Sequence, residues 1–167
     1  WFALALLLAL RKGTMRKAAV RGVLSIAATS PLANAALKPL LPRRRPAASE
    51  LPAYQTIANP PRSSSFPSGH SASAAAFATA VAMESPRTAL AVVPLAAAVA
   101  YSRVHVGVHW TSDVVVGAAL GTGVALATEQ QRGHCPRGLR ENAGFSSLQR
   151  FADARLQVGR RRPPRKA

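Results

Sequence analysis

Five apolar runs divide the chain, and none of them carries a charged stripe at helical spacing. The runs are Trp1–Leu10, Gly22–Leu37, Ser71–Met83, Thr88–Val104 and Val114–Thr128. Helices that are apolar all round are typical of buried or lipid-facing positions. Each run is shorter than the ~20 residues of a simple span, but flanking Ser, Thr and Gly lengthen spans that pack against other helices. The pattern predicts an all-α, multi-span transmembrane helical bundle, with a soluble Ala-rich bundle as the alternative.

The first run starts at Trp1 and is followed, not preceded, by the basic residues Arg11 and Lys12. This order argues against a signal peptide, which carries its charges before the apolar segment. We interpret the run as the second half of a hydrophobic segment and expect an N-terminal piece to be missing.

The amino-acid composition excludes several classes of protein. The 167 residues include 22 Lys+Arg and 6 Asp+Glu, a formal net charge of +16, yet 49% of them are hydrophobic. A disordered basic protein is excluded by this apolar content. Cys135 is the only cysteine, which excludes an intrachain disulfide and a Cys-based zinc cluster. Two explanations of the positive charge remain: the protein binds nucleic acid, or it is a membrane protein with basic cytoplasmic loops.

The placement of the charges favours the membrane. If the five runs alternate in direction, the Arg11–Arg21 cluster, the turn at Arg87 and the tail Glu129–Ala167 fall on one side, which basic residues mark as cytoplasmic. The Pro- and Arg-rich segment Lys38–Arg62, expected to be an irregular loop, falls on the other side together with the break Val104–Asp113. Its charge violates the positive-inside rule and indicates an anion site. We therefore predict a membrane-embedded domain over residues 1–128 and a basic, disordered cytoplasmic tail over residues 129–167.

Three clusters of polar residues lie on the predicted outer face: Lys38–Pro46, Pro67–His70 and Ser102–Asp113. In the second cluster, Ser68 is a plausible N-cap of the following helix. Backbone N–H groups at such a helix start favour an anion, and Gly69 allows its close approach. His70 then stands in the first turn, beside the bound group.

The third cluster separates His109 and Asp113 by four residues, which places them on one face if the segment is helical. A carboxylate that accepts from one imidazole nitrogen leaves the other free to attack. Lys38, Arg45 and Arg103 add positive charge, and arginine donates bidentate hydrogen bonds to phosphate. This set predicts a metal-independent phosphoryl-transfer site with one histidine as nucleophile and the other as acid.

In order, the clusters match the Lys-x6-Arg-Pro, Pro-Ser-Gly-His and Ser-Arg-x5-His-x3-Asp motifs, and the chain thereby resembles the type 2 phosphatidic acid phosphatase superfamily, which includes vanadium haloperoxidases. The resemblance implies that Lys38, Arg45 and Arg103 bind phosphate oxygens together with Ser68 and Gly69. It further implies that His109 forms a phosphohistidine, that Asp113 orients His109, and that His70 protonates the leaving group. Membrane members have six spanning helices with the site on the outer face, so the first of six is expected to be missing here.

These observations predict an integral cell-membrane phosphatase, without cofactor or metal, that acts on a lipid phosphate or diphosphate such as phosphatidic acid or undecaprenyl diphosphate. The chain also resembles actinobacterial proteins in which such a domain precedes a diacylglycerol kinase domain. Membrane lipids are the expected partners, and no nucleic acid is expected. Two alternatives stay open: a vanadium-dependent haloperoxidase, and a non-enzymatic basic protein that binds membranes or nucleic acid through its tail.

The remaining polar residues receive simpler interpretations. Arg43 and Arg44 are expected to attract lipid headgroups generally, with direct substrate contact as the alternative. His105 is expected to pack or to line the site. His134 and Cys135 lack further ligands for a metal. The segment Ala47–Arg62 is expected to determine substrate specificity.

Overall fold

The computed structural model describes residues 1–47, 52, 61 and 63–134, and only the backbone of residues 131–134. Within these residues, the regular structure is entirely helical, which confirms the all-α prediction. The helices are α1 (Phe2–Ala9), α2 (Thr14–Pro31), a π-helical turn (Leu32–Leu37), α3 (Lys38–Leu40), α4 (Gly69–Glu84), α5 (Pro86–His105) and α6 (Thr111–His134). Because α2, the π turn and α3 are contiguous, the described residues form five helical rods, one for each apolar run.

The second rod differs from the prediction at both ends. It begins at Thr14, so part of the basic cluster lies inside α2, and it continues to Leu40, where we expected a loop from Lys38 onward. Pro31 does not break the rod, because its φ of −62° is helical and it removes a single hydrogen bond. The π turn that follows changes the bonding register and carries the chain into α3. Lys38 is therefore held on a helix.

Helix α4 is the centre of the bundle. It packs against α2 and α5, and glycines of α6 approach its backbone closely. Phe77 of α4 is fully buried, lies over Gly22 of α2, and has its ring centroid 5.4 Å from that of Trp1. Most other buried positions are alanines, and small side chains of this kind allow helices to pack at short distance.

Two helical segments, Pro86–His105 and Thr111–Gln130, are long and apolar enough to cross a membrane. Helix α2 carries three basic residues, and α4 has only 16 residues. By charge for α2 and by length for α4, neither helix alone has the properties of a simple membrane span. Large apolar side chains are nevertheless exposed on α1, α5 and α6: Phe2, Leu6, Leu7, Leu10, Leu90, Val93, Leu95, Val115, Val116 and Leu126. A continuous apolar exterior of this kind indicates contact with lipid.

The chain divides into two compact units, Trp1–Glu129 and Gln130–Ala167. The first unit contains four of the rods and α6 as far as Glu129. The predicted tail was expected to be irregular from Glu129 onward, but α6 continues to His134. Cys135, the rest of the tail and most of Ala47–Arg62 lie outside the described residues, so the interpretations given for them stay predictions.

Candidate active site

The start of α4 forms the floor of the site. As predicted, Ser68 caps this helix: its Oγ accepts a hydrogen bond from the backbone N–H of Ser71 at 3.4 Å. The N–H of Ser68 donates to the backbone carbonyl of Asp113 at 3.0 Å, which joins the second motif to the third. Gly69 also has a packing role that the sequence did not reveal, since a Cβ there would lie 2.5 Å from Oδ1 of Asn34 in the π turn.

The end of α5 positions His109. Gly107 follows the last helical turn with a φ of 63°, a conformation that favours glycine. Its N–H donates to the carbonyl of Val104 at 2.9 Å, and the N–H of Val108 donates to that of Arg103 at 3.2 Å. This pair of bonds is a Schellman motif, which reverses the chain at the helix end. His109 also donates its N–H to Arg103 at 3.2 Å, so the imidazole is held beside the end of α5.

His109 and Asp113 are close together but do not share a helical face. His109 precedes α6, which begins at Thr111, so the helical arrangement that we considered from the spacing is wrong. Nδ1 of His109 lies 3.6 Å from Oδ2 of Asp113, beyond hydrogen-bond distance, and has no hydrogen-bond partner among the described residues. Both residues are buried, with 4% and 0% of their surface exposed.

Asp113 also fixes the start of α6. Its Oδ2 accepts a hydrogen bond from the N–H of Trp110 at 2.9 Å, as the third helical residue does in a capping box. Asp113 therefore caps α6. The same carboxylate is left facing the imidazole of His109.

The three predicted cations surround the histidines. Arg45 donates to the carbonyl of Val108 at 2.6 Å and to that of Ser63 at 3.1 Å, next to His109. Lys38 and Arg45 both lower the pKa of His109, and Lys38, Arg45 and Arg103 all lower that of His70, which places the cations within electrostatic reach of both imidazoles. The positive charge is thus concentrated where an anion would bind.

The environment lowers the pKa of both histidines. Burial lowers the pKa of His109 to about 4, with Arg45 adding to the effect, while a hydrogen bond with the Ser65 backbone and the charge of Asp113 oppose it. His70 stays in contact with solvent, yet partial burial lowers its pKa below 6.5, with a further contribution from Arg103. A neutral His109 can act as a nucleophile at neutral pH.

Arg43 is the residue that the sequence interpretation missed. Its Nη1 donates to Oδ1 of Asp113 and to Oγ of Ser112, both at 2.7 Å, and its guanidinium lies 5.8 Å from the ring centroid of Trp110. Arg43, Arg44 and Arg45 are consecutive in the sequence, so the pattern carries no signal that distinguishes them. The side chain of Arg44 makes no hydrogen bond or ion pair with the residues that the structure describes.

Serines before α4 hold in place the loop that contains Arg43, Arg44 and Arg45. Ser64 Oγ accepts from the N–H of Arg43 at 3.0 Å, and the N–H of Ser65 donates to the Arg43 carbonyl at 3.0 Å. Ser65 Oγ donates to the carbonyl of Arg44 at 3.2 Å. These serines therefore fix the path of the first motif across the site.

The structure brings together the eight residues predicted for the site: Lys38, Arg45, Ser68, Gly69, His70, Arg103, His109 and Asp113. His105 is exposed and stacks on Tyr101, with ring centroids 5.7 Å apart. Among the described side chains, no three His, Cys, Asp or Glu residues come together as a metal site requires. Two imidazoles, a buried carboxylate and several cations can transfer a phosphoryl group by general acid and nucleophilic catalysis.

Comparison with known proteins agrees with this chemistry. The family model described as the PAP2 superfamily matches residues 18–135. Over 64 residues, 38% of this chain, the sequence is 44% identical to a lipid A 1-phosphatase of Rhizobium johnstonii and covers 26% of that protein. It is 38% identical to an undecaprenyl-diphosphatase of Sulfolobus acidocaldarius over 42% of this chain and 34% of the relative.

A third relative matches over a longer stretch. A decaprenylphosphoryl-5-phosphoribose phosphatase of Mycobacterium tuberculosis is 37% identical over 58% of this chain and 52% of its own length. The chain thus spans about a quarter to a half of these curated relatives. Among solved structures, a transmembrane PAP2 type phosphatidylglycerolphosphate phosphatase from Bacillus subtilis has a similar fold, with a TM-score of 0.56, 24% identity, and 81% of this chain and 70% of that chain covered.

Proposed function

Because the chain belongs to the PAP2 superfamily, we propose that it hydrolyses the phosphate or diphosphate group of a membrane lipid through a phosphohistidine on His109. The single observation that carries the proposal is the buried imidazole of His109, whose Nδ1 lies 3.6 Å from Oδ2 of the Asp113 carboxylate and whose pKa is lowered by burial and by Arg45 and Lys38. All three relatives are named as phosphatases of a phosphate or diphosphate group on a lipid. Candidate substrates are accordingly phosphatidic acid, undecaprenyl diphosphate and related lipids.

In the first step, the substrate phosphate lies at the start of α4, where Gly69 offers its backbone N–H, Ser68 offers its hydroxyl, and Lys38, Arg45 and Arg103 supply charge. Nδ1 of His109 faces Asp113, so Nε2, on release of the hydrogen bond with the Ser65 backbone, attacks phosphorus. The N–P bond forms as the bond from phosphorus to the leaving oxygen breaks. His70 gives its proton to that oxygen, which leaves as the alcohol or the lipid monophosphate.

In the second step, water attacks the phosphorus of the phosphohistidine. His70, now neutral, takes a proton from that water, the N–P bond breaks, and inorganic phosphate leaves. The positive charge on the phosphorylated imidazole is stabilised by Asp113, which is already oriented by the N–H of Trp110. The cations hold the three phosphate oxygens in both steps, and their charge stabilises both transition states.

The apolar exterior supports a lipid substrate at the outer end of the bundle. The site lies at the end of α5 and the start of α6, and the exposed apolar faces of these two helices support a position at the level of the lipid headgroups. We propose that this is the extracytoplasmic face and that the Arg11–Lys17 end is cytoplasmic, by the positive-inside rule.

The test is release of inorganic phosphate in detergent, with EDTA present, from phosphatidic acid and undecaprenyl diphosphate in parallel. Wild type is compared with His109→Ala, which removes the nucleophile and should lower turnover by at least ~10³-fold. Arg11→Ala, at the opposite end of α2, is the matched control and should keep wild-type turnover.

Metal-independent release that is lost in His109→Ala and kept in Arg11→Ala would support the proposal, and the preferred lipid would name the substrate class. Equal loss in both variants would contradict the site or the topology. A folded wild-type protein that releases no phosphate from either lipid would contradict the proposed substrates.

A further inference from the structure

Arg43 and the buried carboxylate of Asp113 form a close ion pair. The two bonds from Nη1, to Oδ1 of Asp113 and to Ser112 Oγ, are both 2.7 Å, which is short for a charge-assisted hydrogen bond. Asp113 has 0% of its side chain exposed, whereas Arg43 retains 42%. The pair therefore joins a solvated cation to a carboxylate that solvent does not reach.

The arginine is held in this position from three directions. Ser64 and Ser65 fix its backbone through two hydrogen bonds of 3.0 Å each. The Trp110 ring lies beneath the guanidinium at 5.8 Å, a cation–π arrangement. A side chain that only attracted headgroups would need none of these contacts, so the arrangement indicates a defined role at Asp113.

The carboxylate serves two neighbours through different oxygens. Oδ1 accepts a hydrogen bond from the Arg43 guanidinium, and Oδ2 accepts one from the backbone N–H of Trp110 at 2.9 Å. His109 Nδ1, at 3.6 Å from Oδ2, is left without a hydrogen bond. Asp113 is thus oriented by Arg43 and Trp110, and the imidazole adjusts to a carboxylate whose position is already determined.

We propose that Arg43 is a positioning residue, which holds the Asp113 carboxylate and through it controls the orientation and basicity of the His109 imidazole. While Arg43 binds Oδ1, the carboxylate does not turn toward the resting imidazole, and His109 stays neutral. When phosphoryl transfer makes the imidazole positive, the carboxylate is already in place to stabilise it. The catalytic part of this inference rests on the proposed function.

Other charged groups also lie near the ion pair of Arg43 and Asp113. Arg45 acts on Asp113 from the same loop as Arg43. His109 is faced by Lys38 and Arg45, and by Asp113 from α6. Arg44 is the neighbouring cation whose side chain makes no hydrogen bond or ion pair with the described residues, so Arg44→Gln removes the same charge without removing the bond to Asp113.

The first measurement does not depend on turnover. The pKa of His109 is followed through 15N-labelled histidine side chains in the full chain in detergent. Arg43→Gln should raise it by about one unit, because the carboxylate, without Arg43, pairs with the charged imidazole. Arg44→Gln should leave it within about 0.2 units of wild type, because an exposed charge without a contact is screened by solvent. In an Asp113→Asn background, Arg43→Gln should no longer shift the pKa.

The second measurement is kinetic. Arg43→Gln should lower kcat by about 10-fold or more with little change in KM, a scale known for outer partners of a site residue. Added to Asp113→Asn it should lower kcat little further, because Arg43 acts through Asp113. Arg43→Lys, which keeps the charge but not the planar fork, should restore part of kcat.

Two kinds of result would contradict a positioning role for Arg43. An unchanged His109 pKa in Arg43→Gln, or equal shifts in Arg43→Gln and Arg44→Gln, would overturn it in favour of general electrostatic attraction. A raised KM that persists in the Asp113→Asn background would overturn it in favour of direct phosphate binding by Arg43. If Arg43→Gln does not fold, Arg43→Lys is titrated instead and should shift the pKa in the same direction by a smaller amount. A wild type that releases no phosphate would contradict the proposed function, while the His109 titration would still test the contact.

Discussion

At the scale of single residues, the two histidines differ in which protonation state the proposed reaction needs. His109 must be neutral to attack, and burial with Arg45 lowers its pKa to about 4. His70 must carry a proton for the leaving group, and its pKa is lowered below 6.5 by partial burial and by Arg103, Lys38 and Arg45. The pH dependence of the free enzyme therefore reports both groups.

We expect a bell-shaped profile of kcat/KM with its maximum on the acid side of neutrality. Below a pH of about 4, His109 gains a proton and ceases to be a nucleophile. As pH rises through the lowered pKa of His70, the proton donor is lost and kcat/KM falls. The measurement is phosphate release at low substrate concentration across the pH range in which the protein stays folded. A maximum above pH of about 7 would contradict the assignment of His70 as the acid.

At the scale of helices, close contact between α4 and α6 places the second motif against the third. Gly121 of α6 lies against the backbone carbonyl of Ala72, and a Cβ at Gly117 would lie 2.5 Å from the carbonyl of Ser68. A helix backbone cannot move away as a side-chain tip can. These glycines therefore set the separation of the helices that carry Ser68 and Asp113.

Gly121→Ala should lower the stability of the folded protein, by about 1–3 kcal/mol, because its Cβ would overlap the Ala72 carbonyl. Gly123, two residues later in the same helix, has no atom within 4 Å of an added Cβ, so Gly123→Ala is the matched control. Alanine there gains helix propensity and should leave the protein as stable or slightly more stable. Thermal unfolding of both variants in detergent checks this, and equal melting temperatures would refute the proposed close contact.

At the scale of the whole bundle, an ion cluster joins three helices at the end opposite the site. Arg21 of α2 pairs with Glu84, the last residue of α4, at 2.5 Å, and with Glu129 of α6 at 3.0 Å. The 16 residues of α4 separate Glu84 from the site by about 24 Å. The cluster therefore holds the bundle together without touching the reacting groups.

Arg21→Gln should reduce stability by about 1–2 kcal/mol, since Glu84, with 12% of its side chain exposed, would lose its partner. The expected loss is less than for a fully buried pair because Arg21 and Glu129 reach solvent. Arg16→Gln, on the exposed side of α2, is the control and should leave the melting temperature unchanged. Phosphate release per folded molecule should stay at the wild-type level in both, and a selective loss of turnover in Arg21→Gln would show that the cluster also affects the site.

The sequence predicted the features that depend on neighbours along the chain. The five helical rods follow from apolar runs, and the cap at Ser68 follows from the residue type before a helix. Each of these interactions closes within about one helical turn, so local residue types determine it. The continuation of the second rod from Leu37 to Leu40 was missed because the Pro- and Arg-rich composition from Lys38 onward was interpreted as a loop, whereas Lys38–Leu40 is helical.

Contacts between distant segments were decided by the tertiary structure alone. Among three consecutive arginines, Arg43 reaches Asp113, Arg45 reaches Val108, and Arg44 reaches neither, because serines before α4 determine how the loop turns. The 3.6 Å between His109 and Asp113 likewise depends on the reversal of the chain at Gly107 and on the start of α6 after Trp110. A motif specifies which residues the site contains, whereas the packing of α4 against α5 and α6 determines which of their atoms meet.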